Sequence, residues 1–345
     1  MQAVVVLPII PDTDSPDDWY KRLCQKVSGL PLVIRVLATA ARSGVTSVVV
    51  VRTSATPADW IRKRLQSPLI SAVPIRVIGV EPPFDPTDPA SWSLLAPALE
   101  PRFLWLPWNY VTLRRSLASI VSSGPRADHG GTDGWDRAGV VVTKALLTAP
   151  AIGRHRDSRG AAVSGAVRGE PAGIAVTSDD TRRETERLLV RGSGKPSDGI
   201  YSKFNRRLCR PAVRWLSNTP VTANAVTMMG LPVTILSAYW YAQGHWSAYV
   251  IGALLYYLSV LIDEVDGMLA RTKFQESPFG SWLETLTGYA SYLSLWGGMS
   301  IGLSRQFGTP IWLDLGGLTI VMSVLLLVVL RRRWVATAAA IGARR

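Results

Sequence analysis

The sequence predicts a Rossmann-like α/β cytoplasmic domain followed by an all-α polytopic membrane helix bundle. Three observations carry this. Residues 1 to about 190 alternate short β-branched runs with a helical pattern, as βαβ units do. Beyond residue 222, apolar stretches recur at close to the ~20 residues that a bilayer requires. One of those stretches closes on fixed carboxylates, which are expensive at a membrane helix end and usually functional.

In the first domain, residues 1–190, Ala3 to Ile10 is a β-branched apolar run. Leu32 to Ser43 has helical periodicity, and Val45 to Arg52 reads as a second buried strand. Ile75 to Val80, Phe103 to Leu106 and Gly139 to Val142 are further strand candidates. Met1 to Pro11 lacks a basic leader and its apolar run is short for a signal peptide, so the domain is expected to stay in the cytoplasm. Ser122 to Asp136 and Gly153 to Gly169 are rich in Gly, Arg, Asp and Ser. Their arginines come without an aromatic platform, which favours solvated loops over nucleic-acid contacts.

Hydrophobic residues make up 48% of the 345 positions, 13 residues are Trp and the mean hydropathy is +0.17, values that favour partial membrane embedding. The formal charge of +13 suits anionic lipid or phosphorylated substrates, with nucleic acid a less economical reading. Cys24 and Cys209 are far apart and both fall on segments expected in the cytoplasm, which argues against a disulfide-stapled secreted domain.

Residues 191–221 form a basic juxtamembrane segment. Between Thr181 and Arg214 stand ten Lys or Arg and three acids. One amphipathic helix ends at Gly192-Ser-Gly. A second carries Tyr201, Phe204, Leu208, Val213 and Leu216 together with Arg206, Arg207, Arg210 and Arg214, a composition suited to an interface of anionic lipid.

The membrane domain, residues 222–345, has four expected spans: Ala223 to Ala242, Trp246 to Asp266, Ser281 to Leu303 and Ile311 to Leu330. Basic residues precede the first, lie between the second and third (Arg271, Lys273) and follow the fourth (Arg331 to Arg333), which places the termini on the cytoplasmic side. Thr222, Asn224 and Thr227 put hydroxyls and an amide at that end of the first span. They serve either as backbone caps or as contacts to a ligand.

Asp263 and Asp266 stand at an (i, i+3) spacing, so both lie on one helix face. Gly267 and Ala270 continue that helix with almost no side chain, and Arg271 adds a positive charge one turn on. Ser277-Pro278 reads as a cap and first-turn pair for a helix that carries Gly280 and Glu284 inward. Three carboxylates converging from two helices, Asp263, Asp266 and Glu284, suit a hard cation such as Mg²⁺ or Mn²⁺ holding phosphate oxygens.

This spacing resembles the signature of the CDP-alcohol phosphotransferase family, D-x2-D-G-x2-A-R-x8-G-x3-D-x3-D. Six of the eight fixed positions match, and the last two are Glu284 and Gly288. Thr219-Pro-Val-Thr-Ala-Asn-Ala-Val-Thr227 resembles the family's T-P-x-T-P-N-x-V-T opening, with Ala223 where proline is usual. Gly194-Lys-Pro-Ser-Asp-Gly with Asn205-Arg-Arg resembles the juxtamembrane element of members that carry a fused nucleotidyltransferase domain, such as the bifunctional inositol-phosphate cytidylyltransferase and di-inositol-phosphate-phosphate synthases. Val27 to Leu37 followed by Ser43 to Val51 resembles the nucleotidyltransferase fold itself. Where that fold has a Gly-rich phosphate loop, Pro8 to Pro16 has no glycine, three prolines and two acids. Where it has a metal-binding aspartate, Leu106-Pro-Trp-Asn-Tyr offers Asn109. The expectation is a nucleotidyltransferase-like domain without catalysis, the alternative being an unrelated Rossmann-like domain.

The resemblance implies transfer of a phospho-alcohol group, phosphatidyl or polyol phosphate, from a CDP-linked donor to a hydroxyl acceptor with release of CMP. It implies that Asp263, Asp266 and Glu284 are catalytic and hold Mg²⁺ or Mn²⁺. Thr222, Asn224, Thr227, Gly267, Ala270, Arg271 and Gly280 would surround the substrate, and Lys195, Arg206 or Arg207 would reach a substrate phosphate. Glu284 is one methylene longer than aspartate, and Gly288 neither binds a metal nor takes a proton, so activity is expected to be impaired; the alternative is a membrane-anchored binding protein of the same fold. The family usually has six spans, so four leave bundle closure, or formation of a homodimer, incomplete. A cation transporter fits less well, because the spans show no repeat and the acids lie near one interface.

Overall fold

A computed structural model of the chain describes residues 1–7, 21–53, 63–80, 89–123, 140–143, 173–195 and 198–342. Residues 8–16, 124–136 and 153–169, where the sequence reading placed a phosphate-loop position and solvated loops, lie outside the described residues. The chain divides into two compact units: Met1–Ser193 with Ser217–Thr219 and Thr272–Phe274, and Gly194–Leu216 with Pro220–Arg271 and Gln275–Arg345.

In the first unit, strands β1 (Gln2–Val6), β4 (Ser47–Thr53), β5 (Ile75–Val80), β6 (Arg102–Pro107) and β8 (Val140–Thr143) form one sheet in the order β5-β4-β1-β6-β8. β1 pairs in parallel with both β4 and β6, β4 pairs in parallel with β5, and β8 runs antiparallel at the edge. Helix α1 (Leu32–Ala41) makes the crossover from β1 to β4, and all ten of its residues are buried. A sheet covered on both faces needs near-continuous apolar strands, which Ala-Val-Val-Val and Val-Val-Val-Val supply. Ala3, Val5, Val48, Val50, Leu104 and Leu106 face the α1 side. Val4, Val6, Val49, Val51, Phe103 and Trp105 face the other, where fully buried Trp92 packs with its ring centroid 5.4 Å from that of Phe103. Truncating Trp92 to Ala would cost roughly 3–5 kcal/mol.

Two short pairings escaped the sequence reading. β2 (Lys26–Val27) and β3 (Leu30–Pro31) form a hairpin whose turn residues, Ser28 and Gly29, have φ of 47° and 80°. Positive φ at both turn positions matches the twist of a two-residue hairpin. The buried Arg35 locks this turn, donating from Nε to Val27 O (2.9 Å) and from Nη2 to Ser28 O (3.1 Å). β7 (Tyr110–Thr112) pairs with β9 (Gly173–Ala175), and beside them Asn109 meets backbone: its main-chain carbonyl accepts from Val176 N and its side-chain Nδ2 donates to Val176 O. Further helices of this unit are α2 (Pro89–Ser93), α3 (Arg114–Ser123) and α4 (Asp179–Gly192). α4 opens on a capping box between Ser178 and Thr181.

The second unit is helical. It contains α5 (Ile200–Ser217), α6 (Ala223–Tyr241), α7 (Trp246–Lys273, whose last two residues belong to the first unit), α8 (Pro278–Phe307) and α9 (Ile311–Gly342). Among the described residues, one helix, Trp246–Lys273, is long and apolar enough to cross a membrane. α8 packs on α6 through small residues: a β-carbon on Gly298 would lie 2.5 Å from Ala238 O, and one on Gly302 would overlap Tyr241 O. Glycines that let helix backbones approach are the usual device of helix pairs without a water-driven core. On α5, Asn205, Arg206, Cys209, Val213 and Ser217 are buried, while Tyr201, Phe204, Leu208 and Trp215 are exposed. The helix is amphipathic as expected, but Val213 belongs to its inner face. Cys24 and Cys209 are both free thiols.

Candidate active site

The polar ends of α6, α7 and α8 build the site. Thr222 caps α6, its Oγ1 accepting from Ala225 N at 3.2 Å, so this hydroxyl is spent on the backbone. Thr227, one turn inside, donates to Ala223 O. Gln275 joins the two helices: its backbone N–H closes α7 by donating to Ala270 O, and its side-chain Oε1 accepts from Ala223 N at 2.9 Å. α8 opens as the sequence predicts, with Ser277 Oγ accepting from Gly280 N at 3.0 Å and Pro278 in the first turn.

At two glycines a neighbouring side chain comes close to the helix backbone. A β-carbon on Gly280 would lie 3.0 Å from Asn224 Oδ1, so a side chain there would push the Asn224 amide aside where α8 starts beside α6. A β-carbon on Gly267 would stand 3.4 Å from the guanidinium nitrogens of Arg271, which folds back over this bare stretch of α7.

Two pockets meet at this end of the unit, sharing Thr227 and Asp266. The first, about 190 Å³, holds Asp263 and Asp266 with Thr234, Ser259, Thr287, Ser291, Tyr256 and Tyr292 around them, and Gly288 on its wall. The second, about 210 Å³, is lined by charged and amide groups, among them Lys195, Arg271, Glu284, Asn224 and Gln275, together with Gly267, Ala270 and Gly280. Asp266 is buried, and its Oδ2 makes no hydrogen bond.

The structure therefore brings together Asp263 and Asp266 in one pocket, and Asp266, Glu284, Lys195, Asn224 and Arg271 in the other. Thr222, Arg206 and Arg207 line neither; Arg207 is exposed, and the Arg206 guanidinium is held by Asp198 and Glu264. Among the described residues, no three His, Cys, Asp or Glu side chains stand close enough to hold a metal ion together. Sequence reasoning missed the hydroxyl lining. The signal was present: Ser259, Asp263 and Asp266 repeat at i, i+4, i+7, and Thr287 and Ser291 at i, i+4, one face of a helix in each case.

Residues 220–345 match the family model described as CDP-alcohol phosphatidyltransferase, so the C-terminal part of the chain carries a domain of that class. Within the chain, 107 residues are 26% identical to an archaetidylinositol phosphate synthase of Pyrococcus horikoshii. That alignment covers 30% of this chain and 55% of the relative, so the chain spans about half the length of the curated protein it matches. Family and relative together support a phosphotransferase function in general terms.

Proposed function

We propose that this chain is an integral-membrane CDP-alcohol phosphotransferase, moving a phosphatidyl or polyol-phosphate group from a CDP-linked donor to a hydroxyl acceptor and releasing CMP. The observation that carries the reading is the junction at Asp266, where a charged pocket and a hydroxyl-lined pocket share one carboxylate. Lys195 and Arg271 offset the charge of a diphosphate, and Asn224 offers an amide to a nucleotide. The bare backbone at Gly267 lets phosphate oxygens approach. Across Asp266, hydroxyls suit an alcohol.

The donor set fits a divalent cation. Asp263 and Asp266 present hard oxygen ligands, and the partnerless Asp266 Oδ2 is the kind of buried atom that Mg²⁺ or Mn²⁺ satisfies. Glu284 lines the charged pocket with Asp266, but among the described residues it does not close into a three-acid group with Asp263 and Asp266. A bound ion would offset charge on the diphosphate oxygens. Gly288 supplies no base, so the acceptor proton leaves to water. Turnover is then slower by about 10²- to 10⁴-fold than with a positioned base.

In this reading α6 to α9 are the spans, and their exposed apolar residues, such as Leu254, Trp282, Leu318 and Leu325, face lipid. The basic residues flanking the spans put the first unit and the site on the cytoplasmic side. α5 lies in the anionic interface. The first unit is a nucleotidyltransferase-like domain without CTP chemistry; its parallel sheet and the backbone-bound Asn109 support this.

A second reading, a membrane-anchored binding protein, is favoured by the bare wall at Gly288 and by the lack of a three-acid group among the described residues. Measuring CMP release from CDP-diacylglycerol, and separately from a soluble CDP-polyol, with Mg²⁺ or Mn²⁺ separates the two.

A further inference from the structure

Arg206 sits on the inner face of α5 with 11% of its side chain exposed. Its Nη1 pairs with the carboxylate of Asp198, and its Nε donates to Glu264 Oε2 at 2.9 Å. The same Asp198 oxygen, Oδ2, accepts the backbone N–H of Lys195 at 2.8 Å. Glu264 follows Asp263 by one residue, about 100° around the helix, so it projects toward α5 while Asp263 projects into the hydroxyl-lined pocket. One cation thus stands between two nearly buried carboxylates, an arrangement in which loss of the cation leaves two uncompensated charges. Arginine suits the place because its delocalised charge lets Nε donate to one carboxylate while Nη1 carries the ion pair to the other.

We propose that Arg206 is a positioning residue: through Asp198 it clamps the Lys195 segment to the acid-bearing helix α7, so that the Lys195 ammonium is held on the wall of the charged pocket to meet a phosphate of the ligand. This rests on that pocket being the donor site. It assigns to Arg206 an indirect role, in place of the direct phosphate contact expected from the resemblance. Asp198 and Glu264, which are not fixed positions of the acid signature, become the two anchors of the clamp.

The test uses the full-length protein in detergent with CDP as probe. Binding is followed by calorimetry for the unaltered chain, Lys195→Ala, Asp198→Ala and the double variant. Exchange of the Lys195 amide hydrogen is followed in Asp198→Ala and Arg206→Gln. The clamp predicts that Lys195→Ala and Asp198→Ala each weaken CDP binding by about tenfold or more, the worth of a charge-assisted contact. It predicts that the double variant is no weaker than Lys195→Ala alone, and that Lys195 amide exchange accelerates at least tenfold in either clamp variant. Full additivity of the two losses, or unchanged exchange in a folded Asp198→Ala protein, would overturn it. If the unaltered chain binds no CDP, the donor reading of the pocket falls, while the exchange measurement still decides the clamp. Asp198→Ala retains the arginine and serves where Arg206→Gln does not fold.

Discussion

Asp266 and Gly288 face one cavity from different helices, and a β-carbon built on Gly288 would meet no atom within 4 Å. There is room for a side chain beside the acids. Gly288→Asp should therefore raise CMP release by on the order of 10² or more, the size typical of a positioned base. If this wall only packs against a neighbour, the new carboxylate is buried without a partner, and both turnover and melting temperature fall.

Metal binding should depend on the partnerless oxygen. Asp266→Asn keeps the shape of the side chain and removes its charge, so Mn²⁺ affinity measured by calorimetry should drop at least tenfold. Unchanged affinity would make Asp266 a structural acid.

The outer face of α5 should lie in the lipid interface. With Cys24 and Cys209 replaced by Ser, a fluorophore on Leu208→Cys should be quenched by headgroup-proximal spin-labelled lipid in anionic nanodiscs. A label on the inner-face variant Val213→Cys should not be. Equal quenching at both sites would remove the interfacial assignment.

Much of this was legible in the residues. The β-branched runs and the helical pattern of Leu32–Ala41 set out the parallel sheet, because strands buried on both faces leave a continuous apolar signal. The caps at Thr222 and Ser277 were readable from residue type alone. The site was only half legible. Asp263 and Asp266 share a helix face by spacing, but Asn224 approaches Gly280 across helices more than 50 residues apart in sequence, and no local pattern reports such a meeting. Arg206 shows the same limit: its charge is plain in the sequence, and its partners, Asp198 and Glu264, come from opposite sides of it along the chain. The hairpin at Ser28-Gly29 escaped notice because its strands are two residues each, too short for alternation to register.

Cys209 should be inert to alkylation at neutral pH. Burial pushes its thiol up to about 11 from an ordinary value of 9.0, and the Glu264 carboxylate pushes the same way, while Sγ donates to Leu261 O. A raised folded-state pKa means that stability from this group is complete below about pH 9 and is lost as pH rises toward 11. Mass spectrometry after iodoacetamide at pH 7.5 should find Cys24, which is partly exposed, modified before Cys209. Early modification of Cys209 in the folded protein would contradict this.

The central claim is that the shared carboxylate at Asp266 serves phospho-alcohol transfer. The most direct measurement is CMP release by the full-length protein, reconstituted with Mg²⁺ or Mn²⁺ and given CDP-diacylglycerol or a soluble CDP-polyol with hydroxyl acceptors, beside Asp266→Asn. The account predicts slow, metal-dependent CMP release that the variant abolishes. Release that is unaffected by Asp266→Asn, or no release from any CDP-linked alcohol even with Gly288→Asp in place, would contradict it.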